Sequence, residues 1–165
     1  MCYNIFGDEC MKCADYGKIV KIMGNLTPLK VDCGQLCGGA CCKGDSKTGM
    51  LLFPGEESTL EIIEGENGQR LAVCNGTCDR DSRPLSCRIF PFFPTISENG
   101  RIFVEPDLRA MRLCPLLEHS EDIEFDPKFF KAVRKVGRIL AKDEECRRFL
   151  EDITEEIDEI GKFIK

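Results

Sequence analysis

The sequence predicts a small single domain of the α+β class, with short antiparallel strands around a cysteine-rich metal site, an N-terminal helix and two C-terminal helices. Three observations carry this. Four thiols fall within ten residues, Cys33-Gly-Gln-Leu-Cys37-Gly-Gly-Ala-Cys41-Cys42, among glycines that forbid a long helix. Short extended runs follow, separated by glycine-containing turns. Beyond Asp126 the apolar residues recur at steps of three and four, as a core-facing helical stripe does. A length of 165 residues, 42% hydrophobic, fits one domain over 1–165 that buries a core without covalent staples.

From about Gly7 to Met23, Met11, Ala14, Ile19, Val20, Ile22 and Met23 mark a helical face with Lys12, Lys18 and Lys21 outside it. Cys10 and Cys13 share a face of that helix. They read as small buried hydrophobes rather than extra ligands, since no glycine or proline shapes a loop around them. Asn25 to Asp32 is a linker, and Cys33 to Cys42 a knuckle of loop or the first turn of a short helix. Strands are expected at 50–53, 59–63 and 70–74, with Glu64 to Gly68 as a hairpin turn. Prolines 84, 91 and 94 break the chain after Cys74 and Cys78, and Phe90, Phe92 and Phe93 between them suit the core. A second hairpin pairs 94–97 with 101–105 across Asn99-Gly100, and Cys114-Pro115 ends the cluster region of 33–114.

Asp126-Pro127 is an N-cap followed by proline at the first helical position, and Phe129, Phe130, Val133, Val136, Gly137 and Leu140 form the stripe of that helix. The last helix runs from about Asp143 to Ile164 on Cys146, Phe149, Leu150, Ile153, Ile157, Ile160 and Ile164, closing a helical pair at about 127–164. From Asp143 to Lys165, nine acids against four bases give −5, a solvated face before it is a surface for a basic partner. Cys146 is a core residue in this reading.

Lysines and arginines number 23 against 29 acids, a net charge of −6, so neither nucleic acid nor an anionic membrane surface is an expected partner. The first ten residues lack a basic stretch followed by an apolar one, and no apolar run approaches the roughly 20 residues that span a bilayer, so a cytoplasmic protein is expected. Twelve cysteines in such a chain point away from a disulfide framework. Metal is the better reading, because thiolates are soft ligands for zinc, copper(I) or iron–sulfur clusters.

The candidate ligands are Cys37, Cys41, Cys42, Cys78, Cys87 and Cys114, with Cys33 and Cys74 next. Adjacent side chains diverge, so of Cys41 and Cys42 one ligates while the other packs, or the two serve different metals. Four thiolates on zinc leave a formal charge of about −2 that donors and cations must offset. Arg83, Arg88 and Arg112 stand beside the candidate ligands, and the seven basic residues from 70 to 112 are all arginine. They compensate that charge or form a fork for an anionic cofactor or substrate. His119, the single histidine, removes the usual base of hydrolases and reads as a surface residue.

The Cys33–Cys42 cluster followed by Cys78-x4-Arg83-Pro84-x2-Cys87-Arg88-x-Phe90-Pro91 resembles the YkgJ-type family of "CxxCxxCC" zinc- or iron-chelating proteins, over about Cys33 to Cys114. The second half carries the specific motif; the first has three-residue gaps where the family has two. The resemblance implies a cytosolic metal-chelating domain. A related cysteine region in flagellin lysine methylases raises an enzyme reading, although no separate cofactor-binding domain is recognisable here. The expectation is a zinc-binding protein, with an iron–sulfur protein in redox or radical chemistry, or a metal-dependent enzyme acting on an anionic substrate, as alternatives.

Overall fold

The computed structural model describes residues 14–43, 49–65, 68–74, 76, 79–118 and 120–164. Helix α1 (Tyr16–Met23) begins where the Asp15 carboxylate accepts from the Lys18 N–H at 2.9 Å. It is therefore shorter at its start than the periodicity suggests, since Ala14 and Asp15 are not helical. Residues 7–13, with Cys10 and Cys13, lie outside the described residues. The cysteine stretch holds α2 (Gly34–Cys37) and a 3-10 turn (Ala40–Cys42).

Strands β1 (Met50–Leu51), β2 (Glu61–Glu64) and β3 (Arg70–Val73) form an antiparallel sheet in the order β1-β3-β2. Met50 faces Ala72, and Ile63 faces Leu71. A 3-10 turn (Arg80–Ser82) and α3 (Leu85–Ile89) follow. The second hairpin turns at Ser97–Gly100 as expected, with the Gly100 N–H donating to the Ser97 carbonyl at 2.7 Å. Its ladder differs from expectation. The paired strands are β4 (Phe92–Phe93) and β5 (Glu105–Pro106), and only the bridge Ile96–Ile102 lies nearer the turn. Between the two, the Phe103 N–H donates to the Thr95 carbonyl at 3.0 Å, and side chains add to it: Thr95 sends its hydroxyl to Glu105 at 2.7 Å and Thr154 takes the Ile96 N–H at 3.1 Å. After a 3-10 turn (Leu108–Ala110) come α4 (Pro115–Glu118), another such turn (Ser120–Asp122), α5 (Pro127–Leu140) and α6 (Glu144–Phe163). Asp126 and Asp143 cap the last two by accepting from Lys128 and Cys146 N–H groups.

Helices α1, α5 and α6 and the phenylalanines between the prolines share one core. Phe92 meets Phe125 and Phe130 edge-on at centroid distances of 5.1 and 4.8 Å, and Phe53 lies between Phe93 and Phe149. Cys146 is wholly buried, as its place on the stripe requires. No helix among the described residues is long and apolar enough to cross a membrane.

Two buried charged side chains, Glu56 (6% exposed) and Arg88 (8%), are both spent on α3. Glu56 accepts from the Leu85 N–H at 2.6 Å, capping α3, and from the Phe53 N–H at 3.0 Å. Burial pushes its carboxyl above the usual glutamate value of 4.5, although those two N–H groups and the charges of Arg88 and Arg70 oppose the rise. A folded-state value above the unfolded one makes Glu56's contribution largest at low pH and lost as pH rises through it. In urea titrations, Glu56→Gln is expected to cost about 1–3 kcal/mol, by leaving one N–H without its acceptor. The variant should also lose that part of the fall in stability above pH 4.5. At Gly137 a Cβ would sit 2.7 Å from both Ile102 Cγ2 and Pro94 Cβ. Overpacking of this kind costs about 1–3 kcal/mol, so Gly137→Ala should lower the urea midpoint despite its better helix propensity.

Candidate metal centre

Backbone geometry brings the thiols together. Asp32 accepts from the Gly34 N–H at 3.2 Å and starts α2 directly after Cys33. Gly38 and Gly39 are both left-handed, with φ of 61° and 68°, a reversal that side-chain-bearing residues resist. The chain folds back, so Cys33, Cys37 and Cys41 line one small cavity of about 30 Å³. Cys114, more than seventy positions later in sequence, completes the thiols of that cavity from the start of α4. Its other walls are apolar, with Phe90, Pro91 and Leu116 behind the thiols and the exposed Leu36 and Leu113 at the rim.

Cys42 stands at its edge. Its sulfur is 4.0 Å from that of Cys41, close to the ~3.8 Å edge that bonds of ~2.3 Å give a tetrahedral thiolate centre. The expected divergence of these neighbours is therefore corrected: on the tight 3-10 turn the two side chains converge. Cys74 is buried just after β3, and the Gly76 backbone passes beside the Cys42 carbonyl, so this loop abuts the cluster. Cys78 lies outside the described residues, as do His119 and Cys2. Cys87, on α3, lines a second cavity of about 40 Å³ whose wall includes Cys33 and Phe90, both shared with the first. Cys74 and Cys87 each have interactions of their own.

Among the described residues no three His, Cys, Asp or Glu side chains form a ready coordinating group; Cys33, Cys37, Cys41, Cys42 and Cys114 are unbridged thiols around a shared space. Their electrostatics match that state. Burial raises Cys33, reinforced by Asp32, Cys114 and Cys37 and opposed by Arg83. Burial also pushes Cys41 up to about 12, with Cys42 adding to it. Burial raises the Cys114 thiol, although the nearby backbone N–H groups of Leu116 and Leu117 oppose the rise. A metal entering such a site must displace protons.

The arginines separate. Arg88 donates from Nε to the Arg83 carbonyl at 2.9 Å, from Nη1 to Gly24 at 3.2 Å, and from Nη2 to Arg80 and Asp81 at 2.9 and 2.8 Å. These donors serve the chain itself. Arg83 lines the second cavity, where its charge acts on Asp32 and Cys33. Arg112 is exposed beside Leu113.

Sequence reasoning missed Asp32 and Arg80, whose side chains pair between the cluster and the turn before α3. Burial raises the Asp32 carboxyl, but the Arg80 and Gly34 hydrogen bonds and the charges of Arg80 and Arg83 outweigh it and hold it below its usual value. The Asp32-x-Gly34 turn was readable; a pair 48 positions apart was not. No family model, curated protein or solved structure matches the chain.

Cys146 is a thiol of another kind. Its sulfur lies 3.7 Å from both the Tyr16 hydroxyl and the Pro54 carbonyl, and burial pushes it up to about 12. At pH 8 only about one such thiol in ten thousand is ionised. Iodoacetamide should therefore leave Cys146 unlabelled in the folded protein and label it fully in urea, read by peptide mass spectrometry. Labelling of folded protein at the rate of an exposed thiol would contradict this environment.

Proposed function

We propose that the protein binds a single soft metal ion, zinc before iron, through the thiols of Cys33, Cys37, Cys41 and Cys114. The observation that carries this is one cavity of about 30 Å³ lined by four thiols from three separate segments. Cavities of roughly 10–15 Å³ hold one water, so this space suits an ion rather than a small-molecule substrate or a many-atom cluster. The donor set points the same way. Among the described residues no carboxylate lines the cavity, which disfavours hard ions and favours those that thiolates select. The backbone N–H groups of Leu116 and Leu117 near Cys114 favour the anionic form of its thiol, as metal–thiolate centres require.

Zinc would supply a cross-link among α2, the Ala40–Cys42 turn and the start of α4, in a structural or metal-handling role. Cys42, Cys74 and Cys87 form the next layer, able to exchange with the inner thiols or to serve a second ion. An enzyme acting on an anionic substrate has less support, because Arg88 is occupied by carbonyls and, among the described residues, no charged side chain lines the cavity.

The test is elemental analysis and a visible spectrum on protein purified without oxygen. About one zinc per chain and no colour is expected; iron with inorganic sulfide and absorption near ~400 nm would replace this reading with the cluster alternative. Cys37→Ser and Cys114→Ser should each lower metal content and reduce Tm by about 5 °C or more, since the lost ion stabilised only the folded state. Cys146→Ser should leave metal content unchanged.

A further inference from the structure

Arg88 is buried beside the thiols, and its acceptors among the described residues are all carbonyls. A guanidinium removed from water at 8% exposure without a carboxylate in contact is costly, and carbonyl dipoles repay only part of that cost. What it holds is specific. The carbonyls of Arg80, Asp81 and Arg83 belong to the 3-10 turn before α3, and that of Gly24 to the end of α1. These pieces, with Cys33 and Cys87, enclose the cavity of about 40 Å³. Arg80 then reaches from the same turn to the carboxylate of Asp32, next to Cys33, while Asp32 also takes the Gly34 N–H that starts α2. A continuous set of bonds thus runs from the helix that carries Cys87, through Arg88, the turn and Arg80, to the segment that carries Cys33.

We propose that Arg88, acting through Arg80 and Asp32, is a positioning residue of the metal centre, fixing the Cys33 and Cys87 segments against each other. It rests on the metal-binding reading above. Outer partners of this kind orient ligands, and their loss weakens metal binding by about 10–100-fold.

The experiment measures cobalt(II) and zinc(II) affinity of the full chain without oxygen, by competition with a chelator of known affinity, and records the thiolate-to-cobalt charge-transfer band. Arg88→Lys keeps the charge but cannot reach four carbonyls; it should bind about 10–100-fold more weakly, with an altered band. Asp32→Asn keeps an oxygen for the Gly34 N–H and loses the ion pair. It covers the case in which Arg88→Lys does not fold, because the Arg80–Asp32 pair is partly exposed. Its metal-free thermal midpoint should stay within about 2 °C of wild type while affinity falls several-fold, a split that a purely structural role does not produce. Arg148→Gln, which removes an exposed pair with Glu144 on α6, should match wild type in both. Wild-type affinity in Asp32→Asn and in folded Arg88→Lys would overturn the inference alone; failure of the wild-type protein to bind either ion would remove it together with the metal reading.

Discussion

The interaction on which this structure most depends is the capture of α3 by two buried charges of opposite sign. Glu56 holds its first N–H, and Arg88 holds the carbonyls of the turn that leads into it and of the turn that ends α1. A five-residue helix has little stability of its own, because nucleation costs more than one turn of hydrogen bonds returns. Tied in this way it becomes a fixed strut. The sheet, the prolines after Phe90 and the N-terminal helix all take their places against it.

Behind that strut the helices supply what the short strands cannot. Two- and four-residue strands bury little surface by themselves, whereas α5 and α6 offer long apolar stripes to the phenylalanines at 53, 92 and 93. The acidic charge of α6 stays on its exposed side, and its Cys146 is closed off by Tyr16 and Pro54. Burial there, with the neighbouring Cys146, also keeps the Tyr16 hydroxyl protonated well above the usual phenol range. This half of the protein is a scaffold.

The cluster half is loop held by local chemistry. Two left-handed glycines reverse the chain, an aspartate starts the short helix, and apolar walls enclose the thiols. The same walls that raise the thiol pKa values oppose an unbalanced negative charge, so a metal–thiolate group there would need donors and a cation close by. N–H groups near Cys114 and the charge of Arg83 at Cys33 act in that direction. The exposed Leu36 and Leu113 at the rim leave little between the thiols and the surface.

The sequence by itself determined what depends on near neighbours. Asp126-Pro127 and Asp143 start the C-terminal helices, Asn99-Gly100 turns the second hairpin, and apolar steps place Cys146 in the core, because caps, turns and stripes are set within a few residues. The cysteine cluster was legible as a metal candidate for the same reason: four thiols among glycines in ten residues have few other uses. Tertiary structure alone decided which thiols share a space. Cys114 meets Cys33, Cys37 and Cys41 only because α3 and the Phe90-Pro91 segment bring the start of α4 back onto the knuckle. It also decided that Cys41 and Cys42 converge, that the hairpin pairs at Phe92–Phe93, and that Arg88 binds carbonyls while Arg112 meets solvent. Those outcomes depend on partners tens of residues away, and no local periodicity carries them.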